Sequence, residues 1–390
     1  MTPELQAGIA SVLTPAGRGA VATIGVQGAH VAPRVSRCFV SLSQHSLDDA
    51  PLGRTLFGRW RSGGSDPDQF GEELVICRTA AEELEIHCHG GAAAIRAILT
   101  DLHDMGFMEA SWQEWVRTTR GRGTSRTAQV MLADALTERT AAILLDQYRG
   151  TLDSELRILS GVIERGHVEV AIGRLQELLA RAVIGLHLTR PFRVALIGEP
   201  NVGKSSLINA LLGYERSIVF AQAGTTRDVV SALTAVDGWP LELSDTAGLR
   251  ASTDALEAAG MAKTGEQLKS ADLILWVRDA TKSSDTTPQF APPHVERALV
   301  VWNKSDLLLP TGDRRRFADG LLVSATTRSG LAELQGAMVA KLCPQSPPPH
   351  APVLFTNEQV SALQETLLSL QQGAVNAAEL ILSRLATSPE

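Results

Sequence analysis

The 390-residue sequence predicts a multi-domain protein of mixed α/β and α+β class, and three observations carry that expectation. From Phe192 onward, short apolar runs alternate with stretches of helical periodicity, the pattern of a parallel α/β sheet. Before about Ala110, β-rich runs such as Ala20 to Val26 and Glu72 to Arg78 stand beside a helical pattern from Ala92 to Met105, which reads as α+β. On both sides of the α/β stretch, leucines recur at helical spacing. Leu152, Leu156 and Leu159, then Leu175, Leu178, Leu179 and Val183, precede it; Leu363, Leu367, Leu370, Ile381, Leu382 and Leu385 follow it and read as one further helix. The expected order is an N-terminal α+β domain over 1–112, a helical domain made from 113–190 and 346–390, and an α/β domain over 191–345 inserted between its two parts.

Composition narrows the functional classes. A chain of this length with 44% hydrophobic and 20% charged residues can bury two or three cores, so disorder does not dominate. A net charge of -7 argues against nonspecific coating of nucleic acid, which needs a positive field, although a local basic face escapes that average. The four cysteines, Cys38, Cys77, Cys88 and Cys343, have no zinc-like pairing, and the Met-Thr-Pro-Glu-Leu opening is no signal peptide, so a cytoplasmic location is expected. No apolar run reaches the roughly 18 residues of a membrane span, and no membrane association is expected. Pro347, Pro348 and Pro349 mark a linker, and Thr356 with Gln359 forms a capping-box signature at the next helix.

Chemistry concentrates in the α/β stretch. Gly198-Glu-Pro-Asn-Val-Gly-Lys-Ser205 follows the expected strand Val194 to Ile197 and opens a helical run through Leu207 to Leu212, the context a P-loop requires. Its backbone N–H groups wrap phosphates, Lys204 reaches the outer phosphates, and the Ser205 hydroxyl is placed to ligate Mg²⁺. Asp245-Thr246-Ala247-Gly248 ends the strand around Leu241 to Leu243, so Asp245 can hold the metal through water while Gly248 N–H faces the γ-phosphate. Ala223-Gly224-Thr225-Thr226-Arg227-Asp228 lies between these motifs in the position of a switch loop, with Thr226 as the expected Mg²⁺ ligand. Asn303-Lys304-Ser305-Asp306 follows the strand Leu299 to Trp302. There the Asp306 carboxylate can accept the ring and exocyclic N–H groups of guanine, and Asn303 can bond the other edge. A buried acceptor of this kind discriminates bases by roughly 10⁴ or more, because the wrong base leaves it unpaired. Ser324-Ala325-Thr326, after the strand Leu321 to Val323, supplies a last base-side loop. The expected GTP-binding set is Asn201, Val202, Gly203, Lys204, Ser205 and Ser206; Gly224, Thr225 and Thr226; Asp245, Thr246, Ala247 and Gly248; Asn303, Lys304 and Asp306; Ser324 and Ala325.

Three of these runs together, Gly-Glu-Pro-Asn-Val-Gly-Lys-Ser-Ser, Ala-Gly-Thr-Thr-Arg-Asp and Asp-Thr-Ala-Gly-Leu-Arg, resemble the MnmE (TrmE) family of tRNA modification GTPases. The likeness extends to Ile9-Ala-Ser-Val-Leu-Thr-Pro-Ala-Gly-Arg-Gly19 near the N-terminus and to Glu85-Ile-His-Cys-His-Gly-Gly91. It implies a Ras-like P-loop GTPase domain inserted in a helical domain, a homodimer, and a role at the tRNA wobble uridine with a flavin-containing partner. In Ras-like proteins a glutamine after the Asp-x-x-Gly motif orients the attacking water; here that position is Leu249. The resemblance implies that Glu257 takes the role, and that K⁺ replaces an arginine finger. Asn201 matches the side-chain ligand of that K⁺, and Phe220, Gln222 and Thr225 match its backbone ligands.

The likeness also implies a formyl-tetrahydrofolate site in the N-terminal domain, and here the chain departs from the family. Glu85 matches the family glutamate, whereas the arginine position falls on Gly25 and the usual Arg-Ala-Phe and Asn-Gly-Lys run is replaced by Trp115-Val-Arg-Thr-Thr-Arg-Gly-Arg-Gly-Thr-Ser-Arg126. The chain ends at Leu385-Ala-Thr-Ser-Pro-Glu390 without the family's cysteine tail, and its central helical region is short. Two readings stay open: a tRNA-modifying GTPase, or a diverged switch acting in RNA or ribosome assembly without modification chemistry. Arg117, Arg120, Arg122 and Arg126 beside Trp112 and Trp115 allow a basic RNA-facing loop with stacking groups, or a solvated loop. His87 and His89 share a strand face, a spacing open to a metal, while Gly90 and Gly91 favour a turn.

Overall fold

A computed structural model describes residues 8–15, 17, 19–43, 45–62, 71–119, 123–213, 231–245, 268–282, 295–308, 317 and 319–386. The chain forms two compact units, Met1–Arg122 and Gly123–Thr387.

The first unit is a sheet of β1 (Gly8–Val12), β2 (Val21–Gln27), β3 (Phe39–Ser41), β4 (Thr55–Trp60), β5 (Glu72–Ala80), β6 (Glu83–His89) and β7 (Phe107–Glu109), with α1 (Val31–Val35), α2 (Ala92–Asp104) and α3 (Trp112–Thr119). The strand order is β3-β4-β5-β6-β2-β1-β7, and β1 runs parallel only to β7. Period-2 alternation separates the faces. Leu84, Ile86 and Cys88 of β6 point into the core with Ile24, Val26, Leu74 and Ile76, where Ile98 and Leu102 of α2 meet them. Truncating fully buried Leu102 to alanine is of the order of 2–5 kcal/mol destabilising, since the hole cannot close on a rigid sheet. The Trp60 indole N–H donates to Asp101 of α2 at 2.7 Å, which fixes the helix across the strands. Glu85, His87 and His89 lie on the opposite face of β6, and the strand continues to His89 before turning at Gly90.

In the second unit, α4 (Thr124–Leu132), α5 (Glu138–Tyr148), α6 (Thr151–Glu164), α7 (Val168–Ala180) and α8 (Ala182–Gly185) precede an α/β layer. That layer contains β8 (Phe192–Ile197), α9 (Lys204–Leu212), β9 (Ser231–Val236), β10 (Trp239–Asp245), β11 (Leu273–Asp279), β12 (Ala298–Asn303), β13 (Leu321–Leu322) and α10 (Leu331–Leu342). The sheet order among the described residues is β13-β12-β11-β8-β10-β9. The expected all-parallel sheet is corrected at one edge: β9 pairs antiparallel with β10 through the Asp237–Gly238 turn, so the sheet is mixed. The expected single terminal helix is corrected too. Two helices, α11 (Asn357–Gln371) and α12 (Val375–Ala386), are separated at Gly373 and Ala374, and each spends its own apolar stripe. The Thr356–Gln359 capping box is present. α7 packs on α11 and α6 on α12, so Leu156, Leu159 and Leu175 share a core with Leu363, Leu370 and Leu382. The Arg174 guanidinium grips Glu155 with two bonds of 2.7 and 2.8 Å across the α6–α7 seam. Among the described residues, no helix is long and apolar enough to cross a membrane.

Candidate functional site

The site gathers where β8, β10, β11 and β12 end, the edge at which parallel strands present their loops. β8 stops at Ile197 and α9 starts at Lys204, with Gly203 as its N-cap at φ 92°. Asn201 takes the left-handed conformation at φ 64°, which bends the loop back on itself. A Cβ on Gly203 would stand 2.4 Å from the Asn303 amide nitrogen, so the close approach of the two loops requires glycine. Lys204 is only 5% exposed, and its ammonium donates to the carbonyls of Gly198 and Glu199 at 3.1 and 3.0 Å. A cation and a helix N-terminus therefore converge inside one loop, the electrostatics an anionic phosphate needs. Val202 is buried beneath the loop, while Ser205 and Ser206 open outward. The Ser205 hydroxyl donates to Asp245 at 2.7 Å, which brings together two oxygens from motifs 40 residues apart. Mg²⁺ takes hydroxyl and carboxylate oxygens, directly or through water, and this pair fits it.

On the far side, Asn303 is 2% exposed and its amide works within the protein. The nitrogen donates to Val202 O at 3.0 Å and the oxygen accepts from Ala325 N at 3.1 Å, so Asn303 ties the P-loop to the Ser324–Ala325 loop. The Ser324 hydroxyl is fully buried; it donates to Asp306 at 2.6 Å and accepts from Thr327 N at 3.0 Å. The expectation of a buried acceptor is corrected here: Asp306 is exposed, and its orientation is set by the bond from Ser324. Lys304, at φ 66°, turns its ammonium onto Asp279 at 2.7 Å. Asp279 is a residue that motif reading missed, although a carboxylate closing a buried strand is itself a signal. Burial pushes its carboxyl up, but bonds from Lys304 and from the Thr281 hydroxyl and N–H outweigh this and hold it below the ordinary aspartate value.

Of the remaining expected residues, Phe220, Gln222, Gly224, Thr225, Thr226, Thr246, Ala247, Gly248 and Glu257 lie outside the described residues.

On the N-terminal sheet, Glu85 is half-exposed, with its carboxylate 3.5 Å from His87 Nε2, and His87 Nδ1 meets the Thr23 hydroxyl at 3.0 Å. Gly25 pairs directly with Glu85, and the ring of Trp115 covers it: a Cβ on Gly25 would lie 2.6 Å from that ring. Trp115, an expected stacking group for RNA, is 3% exposed and belongs to the packing of this sheet, while Arg117 is exposed and Arg120 and Arg122 lie outside the described residues.

Phosphate loop, metal-side pair and guanine-side loops on one mixed sheet define a P-loop GTPase. Residues 193–304 match the family described as a 50S ribosome-binding GTPase. The chain is similar to the tRNA modification GTPase MnmE of Synechococcus sp., 31% identical over 378 residues, covering 86% of this chain and 80% of that one. The MnmE of Rhodospirillum rubrum is 33% identical over 342 residues, covering 79% and 74%, and that of Dichelobacter nodosus 29% identical over 420 residues, covering 97% and 91%. The chain belongs to the MnmE family.

Proposed function

We propose that the chain couples K⁺-assisted GTP hydrolysis to modification of the tRNA wobble uridine, acting as a homodimer with a flavin-containing partner. The observation that carries the hydrolytic part is the meeting of Lys204, Ser205 and Asp245 in one cradle. Lys204 binds the outer phosphates, Asp306 accepts the guanine N–H pair, and Asn303 braces the loops that hold both ends of the nucleotide. Ser205 and Thr226, with Asp245 through water, would hold Mg²⁺, which when bound supplies charge neutralisation at the phosphates. Asn201, Phe220, Gln222 and Thr225 hold K⁺, which when bound supplies the stabilisation an arginine finger gives elsewhere. Glu257 orients the attacking water. The GTPase domain is an insertion in the helical domain, a reading supported by the packing of α6 and α7 on α11 and α12.

A second reading, a GTP-driven switch without modification chemistry, is favoured by the Trp115 ring over Gly25. A ligand contacting Glu85 from this face meets an indole where the family has a guanidinium, so the residues present do not fit a formyl-tetrahydrofolate.

GTP turnover in KCl against NaCl, with and without Glu257→Ala, tests the hydrolytic proposal. Loss of roughly tenfold or more in NaCl, and of roughly 10²-fold in the variant, is expected. Equal turnover in both salts sinks the K⁺ assignment and favours the diverged switch.

A further inference from the structure

The hairpin of β9 and β10 has one end at the nucleotide site and the other on helix α5. β10 ends at Asp245, bonded to Ser205, and its turn, Asp237–Gly238, lies against the start of α5. Three contacts fix the turn. The Thr137 hydroxyl, which caps α5 by accepting from Thr140 N at 3.2 Å, donates to Gly238 O at 2.6 Å. The Arg139 guanidinium reaches both Asp237 oxygens, each at 3.2 Å. The same guanidinium stands 5.5 Å from the ring centroid of buried Trp239. Gly238 sits at φ 73°, and a Cβ there would come within 2.9 Å of Arg139 Cβ, so the approach leaves no room for a side chain.

Trp239 in turn makes an edge contact with Phe192, centroids 6.4 Å apart. These two rings form the foot of adjacent parallel strands, β10 and β8, whose other ends carry Asp245 and the P-loop; the register runs from Leu241–Phe192 to Asp245–Leu196. Pairing with β9 from Trp239 to Ser244 and with β8 from Leu241 to Asp245 ties β10 continuously from its foot to the nucleotide site.

We infer that Arg139 is a positioning residue for GTP hydrolysis, through which the helical region sets where β10 holds Asp245. The inference rests on the GTP-hydrolysing reading of the site. Coupling of this kind is reciprocal for binding, so nucleotide state also reaches α5 by the same turn. The Arg139–Asp237 pair, with side chains 38% and 60% exposed, is too solvated to matter much for folding, which separates a positioning role from a structural one.

The test is steady-state GTP turnover by the full chain in Mg²⁺ and KCl, with thermal midpoints measured alongside. The variants are Arg139→Ala, Asp237→Asn, the two combined, and the conservative Arg139→Lys; asparagine is used because Asp237 sits at φ 48°, a backbone conformation it tolerates. Arg139→Ala and Asp237→Asn are each expected to lower kcat about two- to fivefold at nearly unchanged KM, the combined variant to be no worse than either, and Arg139→Lys to keep part of the rate, at constant midpoint. Additive losses, losses that track the midpoint, or wild-type kcat in every variant overturn the inference. Wild-type turnover with silent variants removes the coupling alone; a wild-type chain without turnover removes the reading of the site and this inference with it.

Discussion

The N-terminal sheet alternates buried and open residues while the central strands of the α/β layer carry consecutive buried ones, and the two build their candidate sites from different materials. In the α/β layer the side chains of short motifs are braced against backbone as well as against one another. Lys204 is bonded to two carbonyls, Asn303 to a carbonyl and an N–H, and Gly203 is needed only for what it lacks. On the N-terminal sheet, Glu85 is a half-exposed side chain on a partly covered strand face, with the Trp115 ring over Gly25 beside it. A site braced by backbone depends on a few short motifs. A site held by scattered side chains changes when any one of them is exchanged.

The largest effect is expected where the first kind of site relies on a side chain. Asp306→Asn replaces an acceptor by a group that presents its own N–H to guanine, so GTP affinity should fall by about 10²-fold or more, read by nucleotide titration, with the fold intact. Binding within a few-fold of wild type would mean that backbone alone selects the base and would break the comparison. On the second kind of site, calorimetric titration with formyl-tetrahydrofolate is expected to give no saturable heat in the wild-type chain. Saturable binding would show that Trp115 yields, and that the N-terminal face is as tolerant as the phosphate loop.

Much of this was legible in the sequence, because the nucleotide motifs are contiguous and each follows an apolar run. The apolar run Leu273–Val277 is visible in the sequence, but β11 continues to Asp279, and that last residue matters because it holds Lys304. The antiparallel edge was missed although Asp237-Gly238 is a strong hairpin signal, since Ser231–Val236 lacks the apolar density of its neighbours. The break at Gly373 was likewise available, masked by leucines that kept helical spacing across it. Trp115 was not legible. Its contact with Gly25 joins positions far apart in the chain, and local pattern carries no information on which aromatic enters the core.

The smallest expected effect concerns a group that neither motif nor periodicity flags. His187 stacks on Phe192 with centroids 3.9 Å apart, at the foot of β8, and its Nε2 lies 3.7 Å from Asp272. Burial pushes the imidazole pKa below 6.5 against the opposing pull of Asp272, so the folded chain keeps it neutral where the unfolded chain would protonate it. Between the folded and unfolded values the unfolded state binds more protons. The stabilisation is therefore complete above about pH 6.5 and is lost as pH falls toward the folded value. The thermal midpoint should decline on acidification from about pH 7.5 to 5.5, and His187→Gln, which cannot titrate, should remove part of that slope while lowering the midpoint at neutral pH through the lost stacking. Identical slopes would assign the acid sensitivity elsewhere and leave the foot of β8, unlike its upper end, indifferent to charge.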